Sequence, residues 1–221
     1  AENLHNRGIF VTIVEMSDQV MNVLDYEMAS LVHQHLKTKK VEFYLNDAVS
    51  SFNRRNNRLE VTLNSGKSLN TDLVILSIGV RPDSSLAKDA GLDIGKRGGI
   101  VVDNFMATKN PDIYALGDAV EMANPITGIP GAIPLAGPAN KQGRIVGDNI
   151  IFGNRKTFAG AIGTAIARVF DITVATTGVS EKALKKAGMN YTSSIIHSSA
   201  HAGYYPNAMP VTIKTIFNPD D

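Results

Sequence analysis

Glu15 closes the first apolar run of this chain, Ile9-Phe10-Val11-Thr12-Ile13-Val14, and a loop follows it. An acid ending a strand buried on both faces can accept hydrogen bonds from both hydroxyls of an adenosine ribose, and its charge repels a 2′-phosphate. Met16-Ser17-Asp18-Gln19 offers no Lys or Arg to neutralise such a phosphate, which favours NAD over NADP. Taken alone, Glu15 is equally an exposed acid that closes a strand. No G-x-G-x-x-G precedes it, so the dinucleotide fingerprint is half present.

Two glycines sit where a ligand could approach the backbone. Gly79 follows the apolar run Leu73-Val74-Ile75-Leu76-Ser77-Ile78 and precedes Val80-Arg81-Pro82, at the carboxyl edge where open α/β sheets bind ligands. A tight strand-to-loop turn also accounts for it. Gly117-Asp118 ends the string Ala107-Thr108-Lys109-Asn110-Pro111-Asp112-Ile113-Tyr114-Ala115-Leu116. There the glycine leaves room for a large ligand, and the carboxylate can accept hydrogen bonds from sugar-alcohol hydroxyls.

Other chemistries are excluded by what the chain lacks. It has 221 residues, 43% apolar and 19% charged, with 22 basic against 21 acidic side chains. A net charge of +1 gives no electrostatic case for a nucleic-acid partner. Cysteine is absent, which removes disulfides, thiolate metal sites and thiol nucleophiles from this chain. His33 and His35 are two apart on a helix and face different ways, so they cannot share a metal. His197 and His201 have no acid cluster beside them, and no metal site is expected. Lys182, Lys185 and Lys186 read as a solvated helix face. No G-x-S-x-G, H-E-x-x-H or P-loop string occurs. No apolar run reaches bilayer length and no signal peptide opens the chain, so a soluble, cytoplasmic protein is expected without a membrane partner.

The elements that must position these residues form three blocks. Residues 1–99 read as a closing helix turn at Arg7-Gly8, a buried strand to Glu15, a helix over Tyr26–Lys40, then strands at Val41–Leu45, Val49–Phe52 and Leu59–Leu63. Leu73–Ile78 is expected as a further buried strand. Residues 100–157 hold short strands, a Gly/Pro-rich stretch from Asn124 to Pro138, and a helix from about Pro138 to Phe152. Residues 158–221 look α+β, with strands at Ala165–Val169, Thr173–Thr176, Tyr191–Ile196 and Val211–Phe217 and a helix at Ser180–Ala187. A helix without its start and a hairpin without its return suggest a fragment.

Several of these strings, in this order, resemble a known family. Ala107–Asp118 is similar to the second FAD-binding motif of the pyridine nucleotide–disulfide oxidoreductases. Ile78–Pro82, Gly99-Ile100-Val101-Val102-Asp103 and Pro134-Leu135-Ala136-Gly137-Pro138-Ala139-Asn140-Lys141-Gln142-Gly143-Arg144 resemble the branch of NADH oxidases, NADH peroxidases and coenzyme A–disulfide reductases. Phe170–Gly178 and His201-Ala202-Gly203-Tyr204-Tyr205-Pro206 look like the opening of its dimerisation domain.

The resemblance implies an α/β chain: a partial architecture of two Rossmann-like domains for FAD and NAD(P), followed by the start of an α+β dimerisation domain. Residues 1–99 would be the truncated NAD-binding domain, 100–157 the last part of the FAD-binding domain, and 158–221 the truncated dimerisation domain. It also implies FAD and NAD(H) as cofactors, a disulfide or oxygen as small-molecule substrate, and a homodimer in the full-length protein. Glu15 and Gly79 would contact NAD. Gly117, Asp118, Pro134, Leu135, Ala136 and Asn140 would contact FAD, with Asp118 on the ribityl chain. The positive end of the helix from about Pro138 to Phe152 would face the flavin's pyrimidine edge. Tyr204 would reach the substrate in the partner subunit, although Tyr204 and Tyr205 also read as sheet aromatics beside a turn. The redox cysteine is expected outside this chain, and the isolated chain is expected to be inactive.

Overall fold

The computed structural model describes residues 1–220. A short helix α1 (Glu2–His5) leads into strand β1 (Thr12–Val14), which pairs in parallel with β2 (Glu42–Tyr44). The connection between them carries helix α2 (Tyr26–Thr38). Ala29, Val32, His33 and Leu36 recur at helical spacing and form its buried stripe, which is rotated slightly from the expected Met28, Leu31, Val32 and Leu36. β1 is shorter than the expected run from Ile9 to Glu15, and Phe10 is fully exposed. Its pairing is one-sided: Glu42 donates to the Val11 carbonyl and Glu15 to the Tyr44 carbonyl, at 3.2 and 2.9 Å.

An antiparallel meander follows, β3 (Val49–Arg55), β4 (Arg58–Leu63) and β5 (Ser68–Thr71). The first turn is Asn56-Asn57, with φ of 46° and 66°. Two left-handed residues are what a two-residue hairpin needs, and asparagine tolerates that region well. The next expectation is corrected. Leu73–Ile78 forms no strand, and Leu73, Ile75, Leu76 and Ile78 are 63% to 88% exposed. A buried strand requires hydrogen-bonding neighbours on its edges, and no described strand pairs with this run.

After α3 (Ser85–Asp89), β6 (Ile100–Val101) pairs in parallel with β7 (Val120–Ala123), which pairs with β8 (Pro130–Gly131). The backbones pack tightly here: a Cβ on Gly99 would lie 3.0 Å from the Glu121 amide nitrogen. Helix α4 (Ala136–Phe152) starts two residues before the expected Pro138. Its buried face is Gln142, Ile145, Val146 and Asn149, two amides among the aliphatics. Asn149 is 1% exposed and ties the helix to its surroundings. Its Nδ2 donates to the carbonyls of Phe105 and Lys156, and its Oδ1 accepts from Arg155 and Lys156.

Two hairpins complete the chain, β9 (Ala165–Val169) with β10 (Ile172–Thr176), and β11 (Thr192–Ser199) with β12 (Pro210–Phe217). Helix α5 (Glu181–Ala187) lies between them. The apolar residues gather in two cores. One joins Leu24, Ala29, Val32, Leu36 and Val41 to Phe170 of the β9–β10 turn; the other joins Met106, Val120, Ile145 and Val146 to Phe158. The hairpin turn at Phe170 therefore packs on the α2 side. No described helix is long and apolar enough to cross a membrane.

Candidate functional site

Gly117 sits in a 3-10 turn (Gly117–Ala119) that links the bridge residue Tyr114 to β7. Its φ of +78° is left-handed, a conformation that glycine adopts without penalty. Its amide donates to Oε1 of Gln142 at 2.7 Å, and a Cβ added to it would come within 3.8 Å of Ala139. The turn is thus held against the first half of α4. Asp118 projects from it, exposed.

Leu135 is the N-cap of α4 and brings no side-chain cap to the helix. The first-turn amides of Ala136 and Gly137 are of the kind a helix leaves without an internal partner, and Pro138 in the same turn has no N–H to satisfy. These amides, with the helix dipole behind them, favour negative charge at this end. Pro134 and Ala136 are exposed, Leu135 is half-buried, and the space beside Gly137 is open. Asn140 is exposed and its Nδ2 donates to the Ala136 carbonyl at 2.9 Å, so its amide group is turned onto its own helix. A cavity of about 20 Å³ beneath Gly117 is lined by Val120, Met122, Pro138, Gln142 and Phe158. It has room for one water, so a large ligand must contact the exposed side of the Gly117–Asp118 turn.

At the other site, Glu15 is half-buried at the end of β1 and its Oε1 accepts the Ser17 amide at 2.9 Å. One oxygen is oriented by the loop, and the carboxylate retains acceptor capacity for hydroxyls. Asn46 donates to the Ser17 carbonyl and Asp47 to the Glu15 carbonyl, at 2.9 and 3.2 Å. Lys67 donates to the Tyr44 hydroxyl at 2.7 Å, which puts a cation on the residue whose carbonyl accepts the Glu15 amide. Gly79 has a φ of +88° and lies exposed, with nothing near a would-be Cβ.

Tyr204 stands on the loop between β11 and β12, 85% exposed, its ring centroid 4.9 Å from that of Tyr205. His33 and His35 part company as expected: His33 accepts the Val20 amide, whereas His35 faces Phe170 and Asp171. Lys182 is exposed, as a solvated helix face implies, and it also makes contacts across the chain. Its ammonium donates to Oε1 of Gln19 and to the Asn22 carbonyl, both at 3.2 Å, which is a fixed contact across the chain.

A cleft of about 1150 Å³ contains none of these residues. It lies between the β9–β10 and β11–β12 hairpins, with Met28, Ile166, Ala175 and Ile216 on its walls. At one side Lys214 meets Asp25, Glu27 and Glu181. Those three acids are close enough to hold a metal, but the Lys214 ammonium already lies among them.

Residues 1–143 match the pyridine nucleotide-disulphide oxidoreductase family. The chain belongs to that family. Membership implies FAD and NAD(P)H as the redox pair. The chain is 31% identical over 219 residues to the coenzyme A disulfide reductase of Staphylococcus epidermidis, covering 99% of this chain and 49% of that protein. Against the Staphylococcus aureus enzyme of the same name it is 29% identical over 217 residues, covering 98% and 48%. The chain thus spans about half the length of the curated relatives it matches.

The solved structures give the same fold. A reduced CoADR-RHD of Bacillus anthracis is 49% identical with a TM-score of 0.93, over 98% of this chain and 39% of that one. An NAD-dependent persulfide reductase from A. fulgidus is 41% identical with a TM-score of 0.93, over 99% and 40%. A water-forming NADH oxidase from Lactobacillus brevis, bound to NADH, is 29% identical with a TM-score of 0.91, over 98% and 48%. The family assignment rests on the match over residues 1–143, because Asp118 by itself is an exposed carboxylate.

Gln142, which orients the Gly117 turn, was missed in the sequence. A signal was available: Gln142 and Asn149 share the i, i+3, i+4, i+7 stripe with Ile145 and Val146, and buried amides need partners.

Proposed function

We propose that this chain forms part of an FAD-dependent NAD(P)H oxidoreductase that passes hydride from NADH to an acceptor, a disulfide of the coenzyme A type or oxygen. For a disulfide, NADH gives a hydride and solvent a proton, and the products are NAD⁺ and two thiols. FAD, when bound, supplies the two-electron relay between nicotinamide and acceptor. The Gly117–Asp118 turn held beside the uncapped end of α4 carries this reading.

In it, Asp118 accepts hydrogen bonds from the ribityl chain, and Gly117 lets that chain approach the backbone. The Pro134–Leu135–Ala136 segment passes the flavin ring, with Asn140 one turn further along. The amides of Ala136 and Gly137 would favour negative charge on a flavin bound at this helix end. Glu15 accepts the adenosine ribose hydroxyls of NAD and disfavours a 2′-phosphate, and Gly79 admits the dinucleotide to the backbone. Tyr204, exposed on its loop, contacts the substrate across a homodimer. The names of the similar proteins, an NADH-bound oxidase and a persulfide reductase among them, support this assignment.

A second reading follows from composition: a chain without cysteine cannot carry out thiol–disulfide exchange by itself. On that reading the polypeptide binds nucleotides and turns nothing over. Fluorescence titration of the purified chain with FAD and NADH tests the assignment. Asp118→Ala should weaken FAD and spare NADH, and Glu15→Ala should do the reverse. Equal effects of both substitutions on both ligands would sink the site assignment. NADH-dependent thiol production by this chain alone would remove the second reading.

A further inference from the structure

The loop after Glu15 is fastened by a residue from the last third of the chain. Gln19 is 1% exposed. Its Nε2 donates to the Leu24 carbonyl at 3.0 Å and to that of Met21 at 3.4 Å. Its Oε1 accepts from Lys182 Nζ at 3.2 Å, and the same ammonium donates to the Asn22 carbonyl at 3.2 Å. Asn22 in turn donates from Nδ2 to Ser17 Oγ at 2.6 Å, and the Ser17 amide donates to Glu15 Oε1 at 2.9 Å. Unbroken contacts therefore run from Lys182 through Asn22 and Ser17 to the Glu15 carboxylate.

The backbone of the same region is locked to α5. Asp25 is buried and accepts the amides of Glu181 and Lys182 at 3.0 and 3.3 Å, so the helix that carries Lys182 is docked before its side chain reaches the loop. Met21, between Gln19 and Asn22, holds a left-handed φ of 55°. A methionine stays there only where its surroundings over-determine the conformation. Removing the ammonium of the exposed Lys182 would take from Gln19 Oε1 and the Asn22 carbonyl the one donor that joins them, and so loosen the loop.

We infer that Lys182 is a positioning residue for the nicotinamide-nucleotide site: through the 17–22 loop it aims the Glu15 carboxylate at the adenosine ribose. The inference rests on the reading of Glu15 proposed above and deepens it. It makes ribose recognition depend on the docking of α5, a segment that contacts no part of the nucleotide in that reading.

The test compares NADH with an analogue lacking the adenosine 2′-hydroxyl, titrated by fluorescence against the purified chain below its melting temperature. Lys182→Met should weaken NADH about threefold to tenfold, the effect of loosening one hydrogen-bonded contact, and change the analogue less than about twofold. Asn22→Ala, at an exposed position, cuts the same route without burying an unpaired group and should give the same selective loss. Lys182→Arg should restore it. Equal weakening of both ligands in both variants, or no weakening of NADH, would overturn the inference. Failure of the parent chain to bind NADH would sink the Glu15 reading and this inference together, whereas parent binding unaffected by either variant sinks the inference alone.

Discussion

Gln142 accepts the Gly117 amide at 2.7 Å from a position only 5% exposed, so a helix side chain sets the turn from which Asp118 projects. The relationship crosses from the middle of α4 to the loop before β7. It fixes the carboxylate's base on a rigid element, which is how a site gains precision.

Gln142→Leu keeps the bulk and removes the acceptor. The Gly117 amide then loses its partner, at a cost of about 1–3 kcal/mol in stability. FAD affinity should fall about tenfold as the turn loosens, whereas Gln142→Glu, which still accepts, should retain it. Thermal unfolding and flavin fluorescence titration read the two effects. Unchanged FAD binding in Gln142→Leu would show that the turn needs no such support.

Lys214 is the hub of the largest charge cluster. Its side chain is 5% exposed and its ammonium reaches Asp25 at 2.9 Å, Glu181 at 2.7 Å, and Glu27. Burial alone would lower its pKa, and the bonds to Glu181, Glu27 and Asp25 outweigh that and raise it. The hydrogen bond from Lys214, with those from Ser193 and Tyr191, pulls Glu181 down to about 2. A carboxylate depressed in the folded state stabilises the protein above its ordinary value near 4.5, and that contribution is lost as pH falls towards 2. Lys214→Met would leave three facing carboxylates without their cation, a loss of about 3–5 kcal/mol. Denaturant melts of both proteins from pH 7 to 3 check this. The parent should weaken on acidification, and the variant should recover part of its deficit as the carboxylates protonate.

His33 accepts the Val20 amide through Nε2 at 3.1 Å, which requires that nitrogen to be unprotonated. Burial, and then repulsion from Lys37, hold its pKa below the ordinary 6.5, with Asp18 partly opposing. The ring contacts Tyr26 and Phe43. Because the folded-state value is depressed, the bond is intact at neutral pH and breaks as pH falls through that value. NADH affinity should therefore hold near neutrality and decline as pH falls below the ordinary histidine value of 6.5. His33→Phe should bind more weakly and show a flat profile over the same range. A parent profile that is equally flat would remove His33 from loop control.

The sequence by itself determined which residues are candidates for nucleotide chemistry, because their signals are local. An acid ending an apolar run and a Gly-Asp after a short strand are both read from neighbours in the chain. It also placed α2 and α4 to within two residues, since the 3.6-residue periodicity depends only on which face is apolar. Leu73–Ile78 went the other way: apolar composition alone does not make a strand when no neighbouring strand pairs with it. Only the tertiary structure decided which polar groups hold the sites. Gln142 lies 25 residues from Gly117, Lys182 lies 163 from Gln19, and Lys214 lies 189 from Asp25. A hydrogen bond or ion pair needs its partners within about 3 Å, and no one-dimensional pattern encodes a meeting that the folding of distant elements brings about.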